Sequence, residues 1–258
     1  MNPDFDAALL SRVEDAGLNA SAPREQRWLD GWLVRTSPGK AKRARCVNAV
    51  SEGRLPLAQR LALCEEVFAA AGLPMIVRIT PFTRPGALDG VLKAQGLRRF
   101  DDTRVMLRAD LGSWEPEAMP AKVAIRPLGA EAFAQRVGTW RGSKLGEVDA
   151  HAQRLLFAPV PYRAFELQVD GVPAACAQVA VEHDIVGLYD VFTNHDFRDR
   201  GLARLLCSHL LGLALAQGAR RAYLQVEADN APARTIYRRL GFADAYAYHY
   251  RTNDPNVA

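Results

Sequence analysis

Residues 188–193, Leu-Tyr-Asp-Val-Phe-Thr, read as an apolar strand that runs into Arg198-Asp199-Arg200-Gly201-Leu202-Ala203 and then into a helix carrying Leu202, Leu206, Leu210 and Leu213 on one face. No other feature restricts the fold of this chain as much as this order of strand, short basic glycine turn and helix start. The first amides of a helix have no intrahelical partner, the helix dipole adds partial positive charge, and glycine lets a ligand come close to the main chain. Such a junction suits a diphosphate. Taken alone, the same string is also an ordinary basic helix start, so the residues that follow must separate the two readings.

They do so in a definite order. Arg221 to Glu227 alternates apolar Ala222, Leu224 and Val226 with polar neighbours, as a half-buried strand does, and ends in the turn and cap signal Asp229-Asn230. A second helix then places Ala233, Ile236, Tyr237 and Leu240 at helical spacing and stops at Gly241 before Phe242. The two strings together, R-x-x-G-x-A over Arg198 to Ala203 and N-x-x-A-x-x-x-Y-x-x-L-G-F over Asn230 to Phe242, resemble the GNAT superfamily of acyl-CoA-dependent N-acyltransferases. The resemblance is specific over residues 165–250 and weaker before them.

The resemblance implies an α+β (mixed α/β) fold, with a mainly antiparallel sheet flanked by helices and one splayed parallel strand pair. It implies acetyl-CoA as co-substrate and no metal. Main-chain groups of Val191, Phe192 and Thr193 would face the pantetheine amides, and one N–H there would polarise the thioester carbonyl. The backbone of Arg198, Asp199, Arg200, Gly201, Leu202, Ala203 and Arg204 would hold the diphosphate. Asn230 would hydrogen-bond pantetheine, although a plain helix N-cap accounts for it too. Tyr237 would be the general acid toward the leaving sulfur, against a rival reading as a buried aromatic. Many relatives carry a Glu five residues before the Asn as acceptor of the amine proton. Here that position is Gln225, which cannot accept it; Glu227 on the same strand face, Asp190 on the neighbouring strand, or a water chain remain.

The N-terminal part repeats the order. Trp28 to Arg35 and Arg43 to Val50 read as two strands joined by Thr36-Ser37-Pro38-Gly39-Lys40. A helix follows from Pro56 to Gly72, then a strand Met75 to Ile79, a helix Leu88 to Leu92 closed by Gln95-Gly96-Leu97, and a strand Thr103 to Leu111. This is the arrangement of a tandem GNAT whose first copy is degenerate, with residues 1–115 and 122–258 as the two domains. In the first copy the phosphate turn is replaced by Ser51-Glu52-Gly53-Arg54-Leu55-Pro56, where Glu52 repels a diphosphate and Pro56 lacks an amide donor. Its expected role is to wall off the substrate side, with Trp28, Trp32 and Phe82 either lining that side or packed in the core. Between Gly138 and Pro161 the polar residues Trp140, Arg141, Lys144, Glu147, Asp149 and His151 read equally as acceptor contacts or a solvated loop.

Composition is compatible with all of this. At 258 residues and 49% hydrophobic the chain can bury a sizeable core, and no apolar run has the length of a membrane span. Without a signal peptide it reads as cytoplasmic, with no membrane partner. The four cysteines form no C-x-x-C pair and the five histidines no metal-ligand spacing. The net charge of +4 is spread over arginines, and the Arg234, Arg238 and Arg239 cluster lacks the interleaved aromatics of a nucleic-acid platform. The expected function is transfer of an acetyl group to a primary amine, on a small molecule or a peptide, by direct attack in a ternary complex. An acyl-CoA-binding sensor with little turnover is the alternative. The strand with Tyr246, Tyr248 and Tyr250 reads as a sheet edge, a cleft lining or a homodimer contact.

Overall fold

Asp6 accepts a hydrogen bond from the Leu9 amide (3.1 Å) and starts helix α1, Ala7–Ala20, which buries Leu10, Val13, Ala16 and Ala20. The sequence reading assigns no element there, although both the cap and the apolar spacing are present in it. The computed structural model describes residues 1–257. Strands β1 (Gln26–Leu29) and β2 (Trp32–Arg35) are joined by Asp30 and Gly31, whose φ angles of 42° and 82° are those of a two-residue hairpin turn. The expected single strand from Trp28 to Arg35 is therefore a tight hairpin. The expected strand from Arg43 to Val50 is likewise a 3-10 turn at Lys42–Ala44 followed by a two-residue strand β3, Val47–Asn48. Helix α2 (Leu57–Ala70), strand β4 (Val77–Ile79), helix α3 (Leu88–Ala94) and strand β5 (Arg98–Arg108) then follow in the expected order.

The second half consists of β6 (Val123–Leu128), α4 (Ala130–Arg141), α5 (Leu145–Phe157), β7 (Tyr162–Val169), β8 (Val172–Glu182), β9 (Ile185–Thr193), α6 (Leu202–Ala216), β10 (Arg221–Glu227), α7 (Ala231–Arg239) and β11 (Ala243–Thr252). All strands join one eleven-stranded sheet in the order β1-β2-β3-β4-β11-β5-β10-β9-β8-β7-β6. Two neighbouring pairs are parallel, β3 with β4 and β9 with β10, one in each copy. The closing strands have changed places: β11 lies between β4 and β5, and β5 pairs with β10. Tyr246, Tyr248 and Tyr250 are thus buried in the middle of the sheet, not at an edge. The exchange leaves neither closing strand with a bare ladder edge.

Leu202, Leu206 and Leu210 of α6 are buried as their spacing predicts, against β8 and β9. The connection between the halves is strapped across the outer side of this helix. Trp114 Nε1 donates to the Ser208 carbonyl (3.0 Å), the Glu117 amide donates to Ser208 Oγ (2.9 Å), and Pro116 covers Gly212. A Cβ at residue 212 would lie 2.3 Å from Pro116 Cγ. Gly212→Ala is therefore expected to push the strap off the helix and to lower stability by about 1–3 kcal/mol in urea denaturation, despite its better helix propensity.

Candidate active site

The site begins at an irregularity in β9. Gln178 of β8 faces Tyr189 and Cys176 faces Phe192, so Ala177 alone faces the two residues Asp190 and Val191, a bulge with Asp190 at φ 46°. Up to this point β9 and β10 are paired, from Ile185 with Arg221 to Leu188 with Leu224; beyond it they part. Phe192 and Thr193 still pair with β8 on one side, but on the other the main-chain groups of Val191, Phe192 and Thr193 have lost the β10 ladder. The sequence signal for the splay is indirect, because the bulge depends on pairing with β8.

A 3-10 turn at His195–Phe197 then leads to Arg198, to Asp199 and Gly201 in the left-handed region (φ 61° and 72°), and into α6. No side chain caps that helix, and a Cβ on Gly201 would meet nothing within 4 Å. The first amides of α6 are therefore left without a side-chain cap. They border a cleft of about 790 Å³ lined by Val191, Phe192, Thr193, Arg198, Asp199, Gly201, Leu202, Ala203, Asn230 and Tyr237. Two of the expected cradle residues turn their side chains elsewhere. Arg200 Nη2 donates to the Asp196 carbonyl (3.2 Å), and Arg204 forms an ion pair with Glu117 (2.5 Å), leaving only their backbone at the turn.

Next to it lies a second cleft of about 510 Å³, which shares Val191, Phe192, Asn230, Ala233 and Tyr237 with the first. Asp190, Gln225 and Glu227 line it, together with Lys40, Lys42, Arg43, Asp101 and Thr103 from the N-terminal copy. Neither Trp28 nor Trp32 takes part: Trp28 is 67% exposed on another surface and Trp32 is in the core, while Phe82 stacks edge-on against Tyr246 at 5.4 Å. Tyr237 stands between the clefts, only 8% exposed, with its ring edge-on to Phe242. Burial pushes its hydroxyl above the ordinary tyrosine range, with the nearby Cys207 adding to the shift. Among the described residues none hydrogen-bonds this hydroxyl. Asn230 Oδ1 accepts from the Ala233 amide (3.1 Å) as the N-cap of α7, which leaves its side-chain NH₂ at the cleft.

The three carboxyl and amide candidates sit in contrasting surroundings. Glu227 is exposed in the second cleft and, among the described residues, has no ion-pair partner. Gln225 Oε1 accepts from Tyr248 (2.8 Å) and from Arg43 Nη1 (2.9 Å). Asp190 accepts from Gln178 Nε2 (2.7 Å) and is paired with Arg141 (3.2 Å), His151 (3.3 Å) and Arg154 (3.9 Å). Burial opposes its charge, but the adjacent His151 ring and the two guanidiniums outweigh burial and hold its carboxyl far below the usual carboxylate range. Arg141 and His151 belong to the stretch that the sequence left between acceptor contacts and solvated loop; α4 and α5 carry both to Asp190. Trp140 of the same stretch stacks on Phe192 at 6.1 Å.

In the first copy the corresponding turn is filled by the chain itself. The amides of Arg54 and Leu55 both donate to the Asp30 carboxylate, at 2.8 Å in the shortest contacts, and Arg60 Nε lies 3.2 Å from it. The Leu55 amide, helped by that of Arg54 and by the Arg60 charge, holds this carboxyl below its ordinary range. A carboxylate from the β1–β2 hairpin thus occupies the donors a phosphate would need. Glu52 and Pro56 only hint at this, because Asp30 reaches the turn through the fold.

A mixed sheet with one bulged, splayed parallel pair above a glycine turn, repeated in degenerate form, is the frame of a tandem GNAT acyltransferase. The model of a family described as probable histone acetyltransferase Rv0428c C-terminal matches residues 8–251, and the chain belongs to that family. A [ribosomal protein bS18]-alanine N-acetyltransferase of Salmonella typhimurium is 36% identical over 84 residues, 33% of this chain and 57% of the relative. A mycothiol acetyltransferase of Clavibacter michiganensis is 31% identical over 201 residues, 71% of this chain and 64% of that protein. The chain thus spans 57–64% of the length of these two curated relatives. Among solved structures, a GCN5-related N-acetyltransferase from Kribbella flavida shares the fold with a TM-score of 0.69 at 21% identity, covering 97% of this chain and 96% of its own.

Proposed function

We propose that the protein is an N-acetyltransferase that moves an acetyl group from acetyl-CoA to a primary amine by direct attack in a ternary complex. One observation carries this reading: two clefts meet where β9 and β10 part, and both are lined by Val191, Phe192, Asn230 and Tyr237. The residues present fit the coenzyme, since the amides at the start of α6 are uncapped and the space over Gly201 is free. When bound, acetyl-CoA supplies an activated carbonyl with a thiolate leaving group. The backbone of Arg198 to Arg204 would bind the diphosphate, and the freed main chain of Val191 to Thr193 together with the Asn230 NH₂ would orient pantetheine. A main-chain N–H of that segment would polarise the reacting carbonyl, and Tyr237 would hold the proton destined for sulfur.

For the amine proton we take Glu227, with solvent in the cleft as its outlet. Asp190 is the weaker choice, because a carboxylate held ionised beside the guanidiniums of Arg141 and Arg154 gains little on taking a proton. An α-amine, with a pKa of about 8, needs less help at this step than a lysine amine at about 10.4. Of the two relatives, one acts on an alanine of a ribosomal protein and the other is named for mycothiol, so small and peptide amines both belong in the test. We further propose that 122–258 carries the chemistry and 1–115 shapes the acceptor side.

Thiol release from acetyl-CoA against pooled amines and peptides, with mass-spectrometric detection of the acetylated product, tests the reading. Tight binding of acetyl-CoA with no release across the panel would make the protein an acyl-CoA sensor instead. A second result is expected from the turn: Gly201→Val raises KM for acetyl-CoA roughly tenfold or more, because a β-branched residue resists this φ and its side chain fills the space over the amides.

A further inference from the structure

Four cationic side chains, Lys40, Lys42, Arg43 and Arg141, line the second cleft. Three are neutralised by the chain: Lys40 by Glu147 (2.8 Å), Lys42 by Asp101 (2.7 Å) and Arg141 by Asp190 (3.2 Å). Arg43 is different. Its Nη1 donates to two neutral oxygens, Gln225 Oε1 at 2.9 Å and the Tyr248 hydroxyl at 3.3 Å, and among the described residues no carboxylate lies within 4.0 Å of it. A guanidinium presents five donors in a planar fork that matches a carboxylate two at a time. Here Nε and Nη2 have no acceptor among the described residues, and the group borders both the second cleft and a smaller one of about 250 Å³ beneath α4 and α5.

The residue opposite explains why this charge is left over. A glutamate at 225 would meet Arg43 at salt-bridge distance and cancel it. Glutamine takes the same hydrogen bond without cancelling it, so the substitution that removes a proton acceptor from the strand also leaves a cation in the cleft without an anion. Resting on the reading of this cleft as the acceptor side, we infer that the acceptor amine carries a carboxylate near its amino group and that Arg43, from the N-terminal copy, recognises it. A carboxylate fits better than a phosphate, because Asp101, Asp190 and Glu227 line the same cleft and would repel a dianion more strongly. The first copy thereby contributes a specificity residue while binding no coenzyme of its own.

The test uses matched amines that differ only in this group: glycine and glycinamide, β-alanine and β-alaninamide, and peptides beginning Ala-Asp and Ala-Asn. With acetyl-CoA, kcat/KM for the acid is expected to exceed that for the amide roughly tenfold or more. The preference should disappear in Arg43→Gln and also in Gln225→Glu, which neutralises Arg43 from across the cleft without removing it. Equal use of acids and amides, or a preference that survives both substitutions, overturns the inference. A second measurement needs no turnover. In isotope-labelled protein, the Arg43 Nε–H resonance, identified by its loss in Arg43→Gln, should move with glutarate and stay still with glutaramide. A shift without acetyl transfer to any amine would sink the acetyltransferase reading and keep the carboxylate site. Transfer without a shift would do the reverse.

Discussion

Replacing Tyr237 by phenylalanine is expected to lower kcat roughly a hundredfold while KM for acetyl-CoA stays within about twofold, since a positioned general acid contributes about 10²–10⁴ and the hydroxyl makes no ground-state contact. The ring itself is packed against Phe242 and among the apolar residues of α6 and β10, and phenylalanine keeps that packing. No described residue hydrogen-bonds the hydroxyl, so its loss leaves no buried partner unsatisfied and stability should be unchanged. The protonated phenol is the active form. Burial raises its pKa, so that form persists upward through and beyond the ordinary tyrosine range, and any loss of kcat on the alkaline side below about pH 10 must come from another group. Steady-state kinetics of the two proteins over a broad amine panel decide the matter: equal kcat values would remove Tyr237 from the mechanism.

The second large effect concerns stability. Glu14 of α1 and Arg78 of β4 are only 6% and 3% exposed, and both carboxylate oxygens receive guanidinium donors. Tyr246 of β11 donates to Glu14 Oε2 (2.7 Å), and the Arg78 guanidinium lies 3.9 Å from the centre of the Tyr248 ring. One carboxylate therefore joins the first helix, a short inner strand and the exchanged closing strand. Glu14→Ala leaves a buried cation and a buried hydroxyl without partners and is expected to lower stability by about 3–5 kcal/mol in urea denaturation. Replacing both partners by apolar residues, Glu14→Leu with Arg78→Met, should restore most of that, because desolvating an ion pair costs nearly as much as the pair returns. A Glu14→Ala protein within about 1 kcal/mol of wild type would mean that solvent reaches Arg78.

Much of this molecule is legible in the chain. The turn at Arg198 to Ala203, strand Arg221 to Glu227 and helix Ala231 to Arg239 stand where local patterns predict, because each is made by contacts within a few residues: a cap at Asn230, a left-handed stop at Gly241, a leucine stripe on α6. The hairpin at Asp30-Gly31 was also within reach, since an Asp-Gly pair between apolar runs is the strongest short-range hairpin signal. The bulge at Asp190 and the ion-pair ring around it were not, because Gln178, His151, Arg141 and Arg154 come from three other elements.

Most of the element order after the first helix, the repeat within the chain and the phosphate-type turn follow from the sequence alone, since hydrophobic period, caps and glycines act locally. Tertiary structure decided which copy keeps its turn open, where the aromatic strand lies and what lines the acceptor side. Asp30 closes the first turn, β11 sits between β4 and β5, and Arg43 reaches Gln225 only because strands distant in sequence pair and exchange places. Pairing of that kind is set by the burial of whole faces and by edges that must be covered, and no short window of residues contains it.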